Sequence, residues 1–149
     1  MVNTNEQDPR TLAMQHGELQ KRAESVQQQM SMVQTSAQDC AKALATVEEL
    51  TGIEEGAEIM VPVGSGSFVY ANVSRIDNIV VNIGAGVSVE RPLNDAKEIL
   101  ENRKAKLEKA FENMSNALAQ IGQQMQSIES YLSSLQQPQG QPGIPPVSQ

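Results

Sequence analysis

Tryptophan is absent from this 149-residue chain, and its aromatic complement ends at Phe68, Phe111, Tyr70 and Tyr131. A large aromatic core is therefore excluded. Cys40 and His16 are the only residues of their kinds. A lone thiol closes no intrachain disulfide, and one Cys and one His some 24 positions apart form no metal-ligand cluster. Any Ser-His-Asp machinery would have to use His16, and a histidine on a helix seam near a free end has no pocket to hold partners in register. No apolar run approaches the ~18 residues of a membrane span. The opening MVNTNEQDPR lacks the apolar stretch of a signal peptide, so a cytoplasmic chain is expected. Basic residues are few: Lys+Arg number 11 against 18 Asp+Glu, for a net charge of −7. Without a basic patch, nucleic acid is not an expected partner.

Gly64-Ser65-Gly66 and Gly84-Ala85-Gly86 invite a phosphate-loop reading. Such a loop follows a strand and opens a helix, with the phosphate at the helix N-terminus. Here each glycine pair is followed by another strand-like run, and no Gly-Lys-Ser/Thr sequence occurs. These residues read as hairpin turns. The expected absences are thus an enzyme site, a cofactor and a metal.

What the chain does contain is two heptad seams. Asp8-Pro9 is a helix start, with Asp as N-cap and Pro at the first helical position. From there Leu12, Leu19, Val26, Val33, Cys40 and Val47 recur every seven residues, and His16, Ala23, Met30, Ala37 and Leu44 form the companion series. Gly52 is the expected stop. The second seam reads Leu93, Leu100, Leu107, Met114, Ile121, Ile128 and Leu135, with companions Lys97, Lys104, Phe111, Leu118, Met125 and Leu132. Pro92 and Asn94-Asp95 mark its start, and Pro138 forbids continuation. Matched helices of a little over 40 residues, each roughly 60–65 Å long, predict an intramolecular antiparallel coiled coil.

Between the helices the apolar period drops to two. Ile59, Val61 and Val63 read as one strand, Phe68, Val69, Tyr70 and Val73 as a second, Ile79, Val81 and Ile83 as a third, and Val87 and Val89 as a fourth. Gly64, Gly66, Gly84 and Gly86 tolerate the positive φ that tight turns need, and Asp77-Asn78 serves the remaining turn. The expected organisation is a disordered N-terminus (1–8), helix 1 (9–52), two β-hairpins forming an oligomerisation platform (53–91), helix 2 (92–137) and a disordered Pro/Gln-rich tail (138–149). Four short strands are too many for a loop and too few for stability alone. Their apolar faces and edges imply association with strands of other chains.

Charge divides helix 2. Residues 95–112 are dense in Lys, Arg, Glu and Asp, with Lys97–Glu101 and Lys104–Glu108 spaced to pair, whereas residues 113–128 carry no charge. Gly17 and Gly122 interrupt the helices near their free ends, each at a cost of about 0.5–1 kcal/mol relative to Ala. Such ends are expected to fray or splay, the alternative being that both glycines are simply tolerated at the surface. The seam residues of splayed ends would form an apolar patch, made adaptable by Met and Gln.

The order helix, two glycine-turn hairpins, helix, with VPVGSGSFV in the first hairpin, VVNIGAGVSVE in the second and ERPLNDAKEIL leading into the second helix, resembles an alpha-type subunit of the prefoldin family. The likeness spans about residues 10–135. Beta-type subunits carry a single hairpin, and the short acidic chain is similar to archaeal members. The resemblance implies an α+β fold whose hairpins assemble into an intersubunit β-barrel, in a hexamer of two alpha and four beta subunits with projecting coiled coils. It also implies ATP-independent capture of unfolded proteins and their transfer to a group II chaperonin. Client contact would then fall on the coiled-coil tips, here Leu12, His16, Leu19, Ala23 and Val26 with Ile121, Met125, Ile128, Leu132 and Leu135. The alternative expectation is a structural adaptor that docks one folded partner.

Overall fold

The computed structural model describes residues 8–137. The disorder expected before residue 8 and after residue 137 lies outside the described residues. Element order is α1 (Pro9–Leu50), β1 (Glu58–Gly64), β2 (Ser67–Asn72), β3 (Asn78–Gly84), β4 (Val87–Pro92) and α2 (Leu93–Gln136). The described chain folds as two compact units: a central one, residues 31–112, and a terminal one drawn from residues 8–30 and 113–137.

Helix α1 opens at Asp8, whose carboxylate accepts from the Arg10 N–H at 3.2 Å while its carbonyl accepts from Leu12 at 3.0 Å. It ends at Leu50, before the expected stop at Gly52. Thr51, Gly52 and Ile53 donate to Glu48, Glu49 and Leu50, a tightened last turn, and the Thr51 hydroxyl also bonds the Glu48 carbonyl at 2.6 Å. The glycine that takes positive φ is Gly56, at 86°, further along the connection.

In the central unit Leu44, Val47 and Leu100 form a small core, with Ala43, Ile79 and Leu93 packed against it. Cys40 and Ala96 are buried as well. The thiol thus occupies the seam position its heptad place predicts. Lys97 does not pair within α2 with Glu101: its ammonium lies 3.2 Å from Glu48 of α1. As a seam companion, Lys97 projects toward the partner helix, where a carboxylate is in reach. Lys104–Glu108 at 3.8 Å does run along α2. Exposed pairs of this kind contribute about 0–1 kcal/mol each.

The strands form two separate antiparallel hairpins, β1–β2 and β3–β4. Their registers are copies displaced by 20 positions: Glu58 faces Asn72 and Gly64 faces Ser67, just as Asn78 faces Pro92 and Gly84 faces Val87. Ser65-Gly66 and Ala85-Gly86 are the two-residue loops, with φ of 50° and 73° in the first and 52° and 74° in the second. Positive φ at both positions is the type I′ signature, whose twist matches that of the strands. Gly64 and Gly84 precede the loops at 106° and 114°, where the register also shifts. A side chain would be strained there.

Three expectations about the edges of these strands are corrected. Val73 lies one residue past β2; it still exchanges main-chain bonds with Gly56 and Ala57, but those belong to the connection before β1. Asn78 is the first residue of β3 and not part of a turn. Pro92 closes β4 opposite Asn78, and α2 starts at Leu93, whose N–H donates to the Asp77 carbonyl at 3.0 Å. A proline, having no N–H to offer, is tolerated at such an edge.

Candidate functional site

The residues that the sequence singles out fall on two surfaces. The first is the hairpin pair. In β3–β4, Ile79 and Val81 turn one face onto the central unit's core, and Val81 is only 4% exposed. The Arg103 guanidinium donates to the Asn82 carbonyl and the Asn82 side chain accepts from the Gly84 N–H at 2.8 Å, tying strand, turn and α2 together. Arg75 of the inter-hairpin connection sits 3.3 Å from Glu90 of β4. The opposite face holds Val80, Asn82, Ser88 and Glu90, with Val80 its one large apolar side chain. Ile83 and Val87, beside the turn, are exposed, and Val89 is half-buried opposite Val81.

Hairpin β1–β2 has no buried residue. Ile59, Val61, Val69 and Ala71 share one face, and Met60, Pro62, Phe68 and Tyr70 share the other. Both faces are thus apolar. Met60, Val63, Phe68, Val69 and Tyr70 are all exposed, Tyr70 by 74%. A two-stranded ribbon with this much uncovered apolar surface is marginal in water. Its open edges and faces fit pairing with strands of neighbouring subunits into a shared barrel.

The second surface is the terminal unit. Leu12, His16, Leu19, Ala23 and Val26 of α1 are half-buried at 4-3 spacing, as are Met125, Ile128 and Leu132 of α2, and Ile121 is buried. These nine residues lie in the seam. Leu135 does not, and is 52% exposed. Sequence periodicity missed Met14 and Tyr131, which also stand exposed in this unit, because both fall off the heptad stripe. His16 Nε2 lies 2.8 Å from Glu129 Oε1, and Glu129 is the sole charged residue of α2 beyond Glu112. The contact joins the two helices at a position where every other seam member in α1's half is apolar. A Cβ added at Gly17 or Gly122 would meet no atom within 4 Å, so neither glycine is demanded by packing. No helix among the described residues is long and apolar enough to cross a membrane.

Comparison with known proteins agrees with this architecture. The family model described as prefoldin subunit matches residues 19–138, both hairpins included. Prefoldin subunit alpha of Methanococcoides burtonii is 48% identical over 130 residues, covering 87% of this chain and 94% of the relative. That of Methanosarcina barkeri is 46% identical over 141 residues, covering 93% and 98%. Among solved structures, a chain of the filamentous prefoldin of Methanocaldococcus jannaschii superposes with a TM-score of 0.67 at 23% identity, over 77% of this chain and 95% of that one, a likeness of fold. Helix, doubled hairpin and helix, matched along nearly the whole length of such relatives, place this chain in the prefoldin family of chaperone subunits, among its alpha-type members.

Proposed function

We propose that this chain is the alpha subunit of a cytoplasmic hexamer with two alpha and four beta subunits, in which the coiled-coil tips capture unfolded polypeptide without ATP and release it to a group II chaperonin. The observation that carries the reading is the contrast between the two surfaces. Hairpin β1–β2 exposes apolar residues on both faces, as an assembly element does. The terminal unit keeps its apolar stripe in a thin seam that one polar contact and no ion pair between α2 and α1's Lys or Arg residues supports among the described residues. Client contact at Leu12, Leu19, Ile128 and their neighbours requires that seam to open. Exposed Met14, Tyr131 and Leu135 are available without opening. Each tip binds weakly, and several tips on one platform convert weak contacts into avidity.

The test is ATP-free suppression of aggregation of a chemically unfolded protein by this chain assembled with a beta-type partner. The comparison is the same complex lacking residues 1–25 and 119–149 of this chain. Suppression should fall with the truncation while the complex stays intact. Equal suppression by both complexes would move the grip to the partner chains. Gly17→Ala with Gly122→Ala, which packing permits, should raise helicity and reduce capture if opening is part of binding.

A further inference from the structure

The terminal unit offers a groove that does not require the seam to open. Gln15 of α1 and Gln120, Gln123 and Gln124 of α2 line it, with half-buried Leu19 and Ile128 as its floor, around about 530 Å³ of space. The four glutamines are exposed, and none of their side-chain amides takes part in a hydrogen bond between described residues. Ser127, also on the wall, has its hydroxyl donating to the Gln123 carbonyl at 3.0 Å. Where the groove continues past Gln15 and Gln124, Glu18 and Arg22 stand at its end, one charge of each sign.

The central unit supplies the control. A comparable groove beside Leu44, of about 430 Å³, is walled by Glu48, Glu101, Lys104 and Glu108. Three of those four side chains are committed to ion pairs, Glu48 with Lys97 and Lys104 with Glu108. A coiled-coil flank therefore need not be neutral. In the terminal unit the groove between Gln15 and Gln123 is lined by neutral residues, and its glutamine amides make no hydrogen bond among the described residues.

We propose that this glutamine-walled groove is a subsite for the main chain of an extended client polypeptide. A primary amide offers one acceptor and two donors, the same neutral chemistry as the peptide groups of an unfolded chain. Four such amides at different heights can bond N–H and C=O groups in whatever register the client presents. The apolar floor takes a client side chain without selecting its identity. An unfolded chain in extended conformation is the one partner whose main-chain groups are all unpaired. Nucleic acid is disfavoured by the chain's net charge of −7, and a single folded partner would be held by fixed charges or by shape, which four flexible amides do not provide. The proposal rests on tip capture and deepens it: recognition through the backbone explains how one surface accepts unrelated sequences.

The experiment uses the complex assembled with the beta-type partner and an unstructured peptide bearing a benzophenone group. The concentration dependence of photo-adduct formation on this chain is measured. A second peptide has the same side chains but alternate main-chain nitrogens methylated, which removes N–H donors. The methylated peptide should bind this chain about tenfold more weakly, the loss expected for two or so net hydrogen bonds. The triple variant Gln15→Met, Gln123→Met, Gln124→Met keeps side-chain length and helix propensity. It should weaken the unmethylated peptide by a similar factor and leave the methylated one nearly unchanged. Equal binding of both peptides to the unaltered complex would overturn the backbone subsite, whatever the variant does. If the tip-truncated chain forms adducts with both peptides as well as the intact chain does, tip capture itself fails, and the subsite with it.

Discussion

Hairpins β1–β2 and β3–β4 share register, turn type and even the φ values of their loops, yet one is docked and the other is bare. Position by position, Val61 of the first corresponds to Val81 of the second, and Ile59 to Ile79. Val81 is 4% exposed and Val61 37%. The other face differs as well. There the second hairpin has Asn82, Ser88 and Glu90 where the first has Pro62, Phe68 and Tyr70. The second can therefore settle with one apolar face on the helices and a mostly polar face in water. The first is apolar on both faces and no single surface can cover it. Two hairpins of like register thus differ in cover: one lays a face on the core of the central unit, and the other leaves apolar residues open on both faces.

The comparison can be broken most severely with Val81→Asp. A carboxylate forced into the docked face, with no partner, should cost about 3–5 kcal/mol, read as a drop in thermal midpoint of the isolated chain. Val61→Asp, the equivalent change in the bare hairpin, should cost less than about 1 kcal/mol in that assay and instead block assembly with the beta-type partner. Equal losses from the two would mean that the hairpins are covered alike in solution.

Transplanting the outer face comes next. Phe68→Ser with Tyr70→Glu gives the first hairpin the residues found at the corresponding positions of the second. Stability of the isolated chain should stay within about 0.5 kcal/mol. Association with the partner should weaken by about 2–4 kcal/mol, as when buried aromatic anchors are lost, and sedimentation or light scattering would measure it. Retained association would place the assembly surface elsewhere.

Smaller effects sharpen the likeness of the turns. Gly64→Ala and Gly84→Ala each force a Cβ into positive φ with open space around it, so strain alone decides, at about 1–2 kcal/mol. Similar costs at both sites, measured by denaturant unfolding, would establish that the turns are locally governed. The least change is Ser65→Asn, which places a residue suited to the first position of a type I′ turn. It should stabilise the chain by a few tenths of a kcal/mol, within the ~1 kcal/mol available from relieving one residue at positive φ, and Ala85→Asn should do the same.

Much of this was legible in the residues because it is local. The 4-3 stripe from Leu12 to Val47 phases a helix without knowledge of its partner, and Val-Gly-Ser-Gly-Ser and Ile-Gly-Ala-Gly-Val are turn-and-strand signals within a few positions. The misreadings fall where partners are distant. Lys97 has Glu101 one turn along its own helix but meets Glu48 of α1. Pro92 looks like a helix opener until Asn78 is seen opposite it in β4. Val73 continues an apolar alternation, though β2 has ended. In the candidate site, periodicity located the seam residues of the terminal unit but overlooked Met14, Tyr131 and the glutamine groove, which lie off the stripe that defines the period.

By itself, then, the order of residues determined two heptad helices, two like hairpins and their turns, since period, φ preference and capping act over a few neighbouring residues. Which hairpin is docked, which lysine pairs with which glutamate, and which glutamines line a common groove were decided only in three dimensions. Burial and Coulomb attraction depend on what Leu44, Val47, Ile79 and Leu100 build together, and no local pattern contains that surface.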